Sequence, residues 1–324
     1  MSERSPISPR SPRVALEPEQ VPPPPKRSDG VRNPFVVVGN AIITILLLVM
    51  IAGGGLYVYG KQKIEAPGPL EQDKVVNIPQ RSGMSDIADI LQREGVIDNN
   101  RWAFIGSVLA LKARSDLKPG EYLFARNASL REVIGTIVDG KVVQHAITIP
   151  EGLTSEQIVA RITENDIFSG SIRAIPSEGS LLPETYKFPR GAPREQVIAR
   201  MQQAQQRVLA DIWEHRNRDV PLKSPEQLVT LASIVEKETS KPDERSRVAA
   251  VFINRLQKKM KLQSDPTIIY GLVGGKGTLG RPIKASEIQQ PSPYNTYVID
   301  GLPPGPIANP GRASLEATAN PART

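Results

Sequence analysis

Residues 76–97 read VNIPQRSGMSDIADILQREGVI, and residues 147–168 read ITIPEGLTSEQIVARITENDIF. The two stretches match at a constant offset of 71 residues, which aligns Ile78-Pro79 with Ile149-Pro150. In each stretch a few alternating apolar residues are followed by apolar residues at helical spacing. Each copy therefore predicts a short strand, a turn, an amphipathic helix and a hydrophobic stop, and together they predict an internal repeat.

The chain between the two copies also predicts regular structure. We expect a helix near residues 101–112, a short strand at 121–124 and a further helix that begins at Leu130. Small units of this kind resemble LysM-type glycan-binding modules, while a structural repeat that binds nothing is an equally good interpretation. The fold class is therefore predicted to be α+β, with a LysM-like α+β region at residues 74–145.

Composition restricts the chemistry that this chain can perform. Its 324 residues include 41 Lys and Arg, 34 Asp and Glu, two His and no Cys. The absence of Cys excludes disulfides, thiolate zinc sites and Cys nucleophiles, and His145 and His215 leave little room for histidine-based chemistry. Catalysis must rest on carboxylates, hydroxyls, Lys or backbone donors, and we expect no metal or cofactor. The net charge of +7 suits an anionic partner, but no basic block is dense enough to predict nucleic-acid binding.

The N-terminal region predicts a membrane anchor. Residues 1–34 hold nine of the 30 prolines and predict a disordered tail. The uncharged run that follows predicts a transmembrane helix at residues 35–60, because the 25 residues from Phe35 to Tyr59 alone form about 37 Å of helix and a bilayer core is ~30 Å thick. A cleaved signal peptide fits less well, since the run is long and starts late. Residues 61–73, rich in Pro and Gly, predict a linker.

The orientation of this helix depends on a small difference in flanking charge. Basic residues are balanced close to the two ends, and Arg4, Arg10 and Arg13 favour a cytoplasmic N-terminus. We therefore expect a single-pass membrane protein. Residues 61–324 then lie outside the cytoplasm.

A predicted helix at residues 226–240, EQLVTLASIVEKETS, carries two candidate acids. Ser224 and Pro225 are typical of a helix start, and Gln227 is placed to complete a capping box. Glu236 and Glu238 fall on opposite margins of the apolar stripe, where partial desolvation raises the pKa of a carboxyl group and suits it to general acid catalysis. The alternative is a pair of ordinary surface acids near a helix end.

Three further segments carry a family resemblance. They are DERSRVAAVFINRLQKKMKLQSDPTIIYGL at 243–272, SPYNTYVIDGLPPGPIANPG at 292–311 and EGSLLPETY at 178–186. The last two combine turn-forming Pro, Gly and Asn with Tyr and Thr, as in loops that line a cleft. Together with ASIVEKET, these motifs closely resemble the YceG-like endolytic murein transglycosylases (MltG family) over about residues 35–324.

The resemblance implies an activity and its partners. It implies cleavage of the MurNAc–GlcNAc bond of nascent peptidoglycan strands, which leaves 1,6-anhydro-MurNAc ends, by a catalytic domain at residues 146–324 that includes the second repeat copy. It also implies a place in the lipid bilayer of the bacterial inner (plasma) membrane, with a periplasmic or otherwise extracytoplasmic catalytic domain, and contact with peptidoglycan synthases. Family members continue past the segment that ends at Thr324, so we expect this chain to lack the family's C-terminal end.

The resemblance also selects site residues. The family's catalytic Glu is followed by a small hydroxyl residue, which Glu238-Thr239 matches and Glu236-Lys237 does not. Glu238 is therefore the predicted catalytic residue, and Glu236 is the alternative or second carboxylate. The motif match also predicts a set of glycan-cleft residues: Gln263, Asp265, Tyr270, Tyr294, Asn295, Thr296 and Asn309.

Two other functions remain open on the residues alone. A membrane-anchored, non-catalytic peptidoglycan-binding or division scaffold is expected if the missing C-terminus is essential. A muramidase that uses water as nucleophile is the third interpretation.

Overall fold

An apolar helix, α1, begins the part of the chain that this computed structural model describes, residues 34–323. It runs Pro34–Glu65, and none of the side chains in this described helix is buried. It is long and apolar enough to cross a membrane. The predicted apolar helix is confirmed and continues five residues beyond Gly60. Apart from Pro34, the predicted disordered tail lies outside the described residues.

The segment after α1 is held closely against the following fold. The backbone N–H of Gly68 donates to the carbonyl of Asn127 at 3.1 Å, and the N–H of Asn127 donates to the carbonyl of Leu70 at 2.9 Å. Leu70 is buried. A Cβ on Gly68 would lie 2.2 Å from the carbonyl oxygen of Ala128, so this contact requires glycine. The second half of the predicted linker is therefore packed rather than free.

The first repeat copy forms a strand, two helices, a second strand and a third helix. Its elements are β1 Lys74–Ile78, α2 Met84–Arg93, α3 Arg101–Ala110, β2 Gly120–Phe124 and α4 Leu130–Asp139. β1 and β2 pair antiparallel. Ser129 and Glu132 form a capping box at the start of α4. The helices bury their apolar faces in one cluster that extends from Leu70 to Ile137.

The second copy repeats this plan without a counterpart of α3. Its elements are β3 Gln144–Thr148, α5 Ser155–Glu164, β4 Thr185–Pro189 and α6 Arg194–Glu214. β3 and β4 pair antiparallel. Thr154 and Gln157 form the expected capping box before α5. The predicted strand–turn–helix repeat is thus present in both copies.

Two tyrosines show that the repeat also includes the second strand of each copy. Val76 lies opposite Tyr122 on β1 and β2, and its counterpart Ile147 lies opposite Tyr186 on β3 and β4. Both tyrosines are buried, and each donates its hydroxyl to the carbonyl oxygen four residues earlier at 2.8 Å. The repeated unit is therefore a complete antiparallel ribbon with its helices.

A buried carboxylate joins the two copies. Glu121 on β2 contacts the imidazole of His145 on β3 and accepts a hydrogen bond from Nε of Arg190 at 3.2 Å. Burial alone would raise the pKa of Glu121, but the hydrogen bonds from His145 and Arg190 outweigh it and hold the pKa below its ordinary value. The two copies are therefore connected by a charged contact.

Five further helices complete the described chain. They are α7 Pro225–Glu238, α8 Arg245–Gln257, α9 Asp265–Val273, α10 Ala285–Ile288 and α11 Arg312–Ala319. α7 packs against α6, α8, α9 and α11. One apolar cluster, from Ile147 to Ala319, includes residues of the second copy and of α7, α8 and α11, and Tyr270 of α9 packs against it. The mixed α+β fold class is confirmed, while the domain boundaries stay predictions.

Candidate functional site

α7 is the rigid element that carries both candidate acids. Ser224 caps it by accepting a hydrogen bond from the N–H of Gln227 at 3.4 Å, and Pro225 occupies the first turn. The Gln227 side chain accepts from the N–H of Lys223, so the prediction that it closes a capping box with Ser224 is wrong. All residues from Leu228 to Val235 are buried, which makes the buried surface wider than the predicted stripe. The last turn is therefore firmly placed.

Glu236 is engaged inside the protein. Its side chain is 5% exposed. One carboxylate oxygen accepts from the N–H of Gly311 at 2.9 Å, and the other lies 3.5 Å from Nη2 of Arg245. The same nitrogen of Arg245 lies 3.0 Å from Glu151, whose pKa is raised by burial and by the nearby charge of Glu236. Glu236 thereby connects α7 to α8 and α11, and both of its oxygens are occupied.

Glu238 has the opposite environment. It is the last residue of α7 and is exposed, whereas the helix-margin argument predicts partial desolvation. Its carboxylate accepts a hydrogen bond from the hydroxyl of Ser264, the residue that precedes α9. Thr239 leaves the helix in an extended conformation. Glu238 therefore presents a carboxylate to solvent from a fixed helix end.

A buried hydroxyl cluster holds Ser264 in place. Ser264 is 1% exposed, and its backbone N–H donates to Oγ1 of Thr296 at 2.9 Å. Thr296 is fully buried, and its hydroxyl is 2.9 Å from that of Thr267. Thr296 therefore positions the donor to Glu238 from beneath the surface.

Two predicted cleft residues border this cluster on the exposed side. Gln263 is exposed, has a left-handed φ of +55°, and donates its N–H to the carbonyl of Thr296 at 3.1 Å. Asp265 accepts a hydrogen bond from the hydroxyl of Tyr297 at 2.7 Å. That hydrogen bond, with burial and the charges of Asp265 and Glu238, raises the pKa of Tyr297. Gln263 and Asp265 thus flank Ser264, the donor to Glu238, and face solvent.

A second polar group centres on Glu178. One of its oxygens accepts from the N–H of Ser155 at 2.8 Å and from the amide of Asn309 at 2.9 Å. The other accepts from the hydroxyl of Tyr270 at 3.3 Å. Burial raises the pKa of Glu178. The ring of Tyr270 is 4.8 Å from that of Tyr294, centroid to centroid. α9 and the loop at 292–297 contribute to both groups.

Like Thr296, the predicted cleft residues Asn295 and Asn309 are buried and engaged in hydrogen bonds. The amide nitrogen of Asn295 donates to the carbonyls of Glu287, Ile288 and Gln290. The amide oxygen of Asn309 accepts from the N–H of Leu181 at 3.0 Å. These side chains hold loops together, and the structure does not bring them to the surface near Glu238.

Several residues of this region are not among the predicted site residues. Ser264 and Tyr297 contact predicted residues directly, and their only sequence signal is a hydroxyl inside a quoted motif. Glu178 begins the segment EGSLLPETY and Arg245 lies in the segment that starts at Asp243. Within residues 34–323 no cluster of three or more His, Asp or Glu is arranged to hold a metal.

Comparisons with known proteins agree on one family. The sequence model of the YceG-like family matches residues 76–324. A Bacillus subtilis protein named endolytic murein transglycosylase is 32% identical over 309 residues, which cover 84% of this chain and 82% of that protein. A protein of the same name from Streptococcus pneumoniae serotype 2 is 26% identical over 85% of this chain and 58% of its own length.

A solved structure is also similar. The crystal structure of a YceG-like protein from Listeria monocytogenes is 32% identical in sequence, with a TM-score of 0.44, over 78% of this chain and 91% of that one. The long family match and the Bacillus relative carry the assignment. The chain belongs to the YceG-like family.

Proposed function

We propose that this protein is a membrane-anchored endolytic lytic transglycosylase that cleaves the MurNAc–GlcNAc bond of nascent peptidoglycan and leaves 1,6-anhydro-MurNAc ends. The names of its relatives support the reaction class. The observation that carries the proposal is the difference between two neighbouring acids. Glu238 faces solvent with one hydroxyl donor, whereas Glu236 is held by Arg245 and Gly311.

Glu238 can perform both proton transfers of this reaction. Protonated, it donates a proton to the glycosidic oxygen as the bond from C1 to that oxygen breaks. The acetamido group of the substrate stabilises the oxocarbenium-like centre. The Glu238 carboxylate then takes the proton of the C6 hydroxyl as O6 bonds to C1, so the ring closes without water.

The surrounding residues have distinct roles in this proposal. The Ser264 hydroxyl orients the Glu238 carboxylate, and Thr296 fixes Ser264. Gln263, Asp265 and Tyr297 offer exposed or half-exposed polar groups to the glycan. Asn295 and Asn309 shape the loops from within.

The remaining regions of the chain support the proposed activity on the cell wall beside a membrane. α1 would anchor the protein in the inner membrane, with a cytoplasmic N-terminus and the remainder outside the cytoplasm. The antiparallel ribbon and helices of the first copy support a LysM-like, glycan-holding role. Peptidoglycan synthases are the partners that the family resemblance suggests, since they make the strands to be cut.

Mass spectrometry of digested peptidoglycan tests the reaction. We expect anhydro-MurNAc ends with the wild type and about 10²–10⁴-fold fewer with Glu238→Gln, because one positioned acid–base group contributes about this much. Glu236→Gln is the matched control, and it should keep the product when equal amounts of folded protein are compared. Reducing ends instead of anhydro ends would indicate a muramidase, and binding without cleavage would indicate a scaffold. Activity in Glu238→Gln together with its loss in Glu236→Gln would overturn the assignment of the acid.

A further inference from the structure

The outward face of α3 is apolar although it faces solvent. Trp102 is 67% exposed and Leu109 is 51% exposed. Gly106 and Ala110 are exposed on the same side at helical spacing. A surface helix normally carries charged or polar residues on its outer face. An apolar environment would therefore stabilise this face better than water does.

The inner face of α3 is already used by the core. Phe104, Ile105 and Val108 are buried in the cluster of the first repeat copy. The outer face is thus additional to what the fold needs. Contiguous exposed apolar surface of this kind marks a binding surface.

Basic residues border this face. Arg101 begins α3, and its guanidinium lies 5.1 Å from the ring centroid of Trp102 and is paired with Asp89 at 2.9 Å. Lys112, Arg114 and Lys118 follow α3 and are exposed. Asp116 is the only acid between Arg101 and Lys118. The border therefore favours an anionic partner.

Few residues of the chain separate the apolar helix from the fold that contains α3. Only Ala66 and Pro67 separate Glu65 from Gly68, which is fixed to Asn127. Two residues and their flanking bonds span at most about 10 Å. Glu65 also pairs with Arg131 of α4 at 3.7 Å, and α4 packs against α3.

We propose that the outward face of α3 docks on the bilayer that α1 crosses. Trp102 and Leu109 enter the boundary between headgroups and acyl chains, and Lys112, Arg114 and Lys118 contact anionic phospholipid headgroups. This inference rests on the proposed anchoring by α1. A glycan partner fits less well, because Gly106, Leu109 and Ala110 offer no hydrogen-bonding side chain to a sugar.

Docking would give the first repeat copy a second attachment to the membrane. A single transmembrane helix does not by itself fix the orientation of the attached domain on the membrane surface. A second contact through an interfacial helix face restricts the domain to one orientation. The first copy would then be held flat against the lipid surface.

Tryptophan fluorescence in lipid vesicles tests the docking. The full chain with Trp213→Phe, in which Trp102 is the single tryptophan, is reconstituted into phosphatidylcholine and phosphatidylglycerol vesicles. Bromine atoms at carbons 6 and 7 of the acyl chains should quench the fluorescence of Trp102 by about twofold or more, because an interfacial helix sits ~5–10 Å into this boundary. The emission maximum of Trp102 should also shift to shorter wavelength in the vesicles. The matched control is Trp102→Phe, whose remaining Trp213 should not be quenched.

A third variant separates docking from anchoring. Leu47→Trp in a chain without Trp102 and Trp213 reports whether α1 is inserted. If Leu47→Trp is quenched and Trp102 is not, the docking is wrong and the anchoring stands. If neither is quenched, both are wrong. Quenching of Trp102 that is lost in Lys112→Glu/Arg114→Glu supports contact between the basic border and anionic headgroups. A spectral shift with soluble glycan fragments but not with lipid would overturn the docking.

Discussion

Glu236 and Glu238 lie two residues apart on the last turn of α7, yet only one of them faces solvent. The Glu236 side chain is 5% exposed and contacts Arg245, whereas Glu238 is exposed and accepts a hydrogen bond from Ser264. A buried carboxylate with both oxygens engaged cannot approach a bulky glycan. An exposed carboxylate on a buried helix can, and it stays fixed while it does so.

Removal of the hydroxyl beside Glu238 should slow the reaction without unfolding the protein. A hydrogen bond to a charged group contributes about 1.5–3 kcal/mol, so Ser264→Ala should lower kcat by about 10–100-fold. The Ser264 backbone bond to Thr296 remains in this variant. The rate of anhydro-muropeptide release and the unfolding midpoint are measured together.

Ser180→Ala is the control for this substitution. Its hydroxyl donates to the local carbonyl of Ser177. Wild-type turnover is expected for the control. Wild-type turnover in Ser264→Ala as well would show that the hydroxyl does not orient Glu238.

The ion pair of Glu236 should matter for stability. Arg245→Met leaves the buried Glu236 carboxylate without its cation, and breaking a buried pair in this way costs about 3–5 kcal/mol. Arg247→Met is the matched control on the same helix, because Arg247 is 65% exposed and its 3.9 Å pair with Asp243 lies at the surface. The control should change stability by no more than about 0.5 kcal/mol.

Chemical unfolding of the two arginine variants measures this difference. Equal stability of Arg245→Met and Arg247→Met would contradict a structural role for the Glu236 pair. Loss of product formation in Arg245→Met at full stability would instead place Glu236 in the reaction.

The sequence predicts the elements of the first copy, including β2 and α4, but it shows the repeat only in the first half of each copy. The first halves match at one offset, 71 residues, so the pattern is visible without structure. The second halves match at 64 residues, as Tyr122 and Tyr186 show, because the first copy contains α3 and the second has no counterpart. A comparison at one fixed offset cannot recover a repeat whose spacing changes inside the copy.

Helical periodicity also cannot predict the unequal exposure of Glu236 and Glu238. Periodicity places Glu236 and Glu238 on opposite margins of α7 but does not say which margin is covered. Arg245 of α8 and Gly311 before α11 cover Glu236, and both come from later in the chain. The choice of Glu238 from the family motif anticipates the exposed acid, and its role stays a prediction.

The half-buried carboxyl group of Glu178 should make stability depend on pH. Its pKa is raised above the ordinary value of 4.5 by burial, so the folded protein binds this proton more tightly than the unfolded chain. The stabilisation is fully present below the unfolded pKa and is lost as pH rises through the folded pKa. Glu178→Gln cannot ionise and should lack this decline.

The difference between the unfolding free energies of wild type and Glu178→Gln, measured from pH 4 upward, isolates this effect from the other carboxylates. We expect the wild type to lose stability relative to the variant as pH rises above 4.5. Parallel curves would mean that Glu178 keeps an ordinary pKa in the folded protein. An opposite slope would mean that its hydrogen bonds from Ser155 and Asn309 outweigh burial.

Two glycines with similar backbone conformations should respond very differently to alanine. Gly179, next to Glu178, has φ +77°, and a Cβ there would lie 2.6 Å from Pro306 and 2.7 Å from Val229 of α7. Gly191 has φ +82° with nothing within 4 Å of the added Cβ. Gly191→Ala should therefore cost only the left-handed backbone strain of about 1–2 kcal/mol. Gly179→Ala adds a clash with two stiff neighbours, an overpacking cost of about 1–3 kcal/mol, and should be the less stable variant in chemical unfolding. If the two variants unfold at the same denaturant concentration, the loop that carries Glu178 does not pack against α7 as closely as the structure shows.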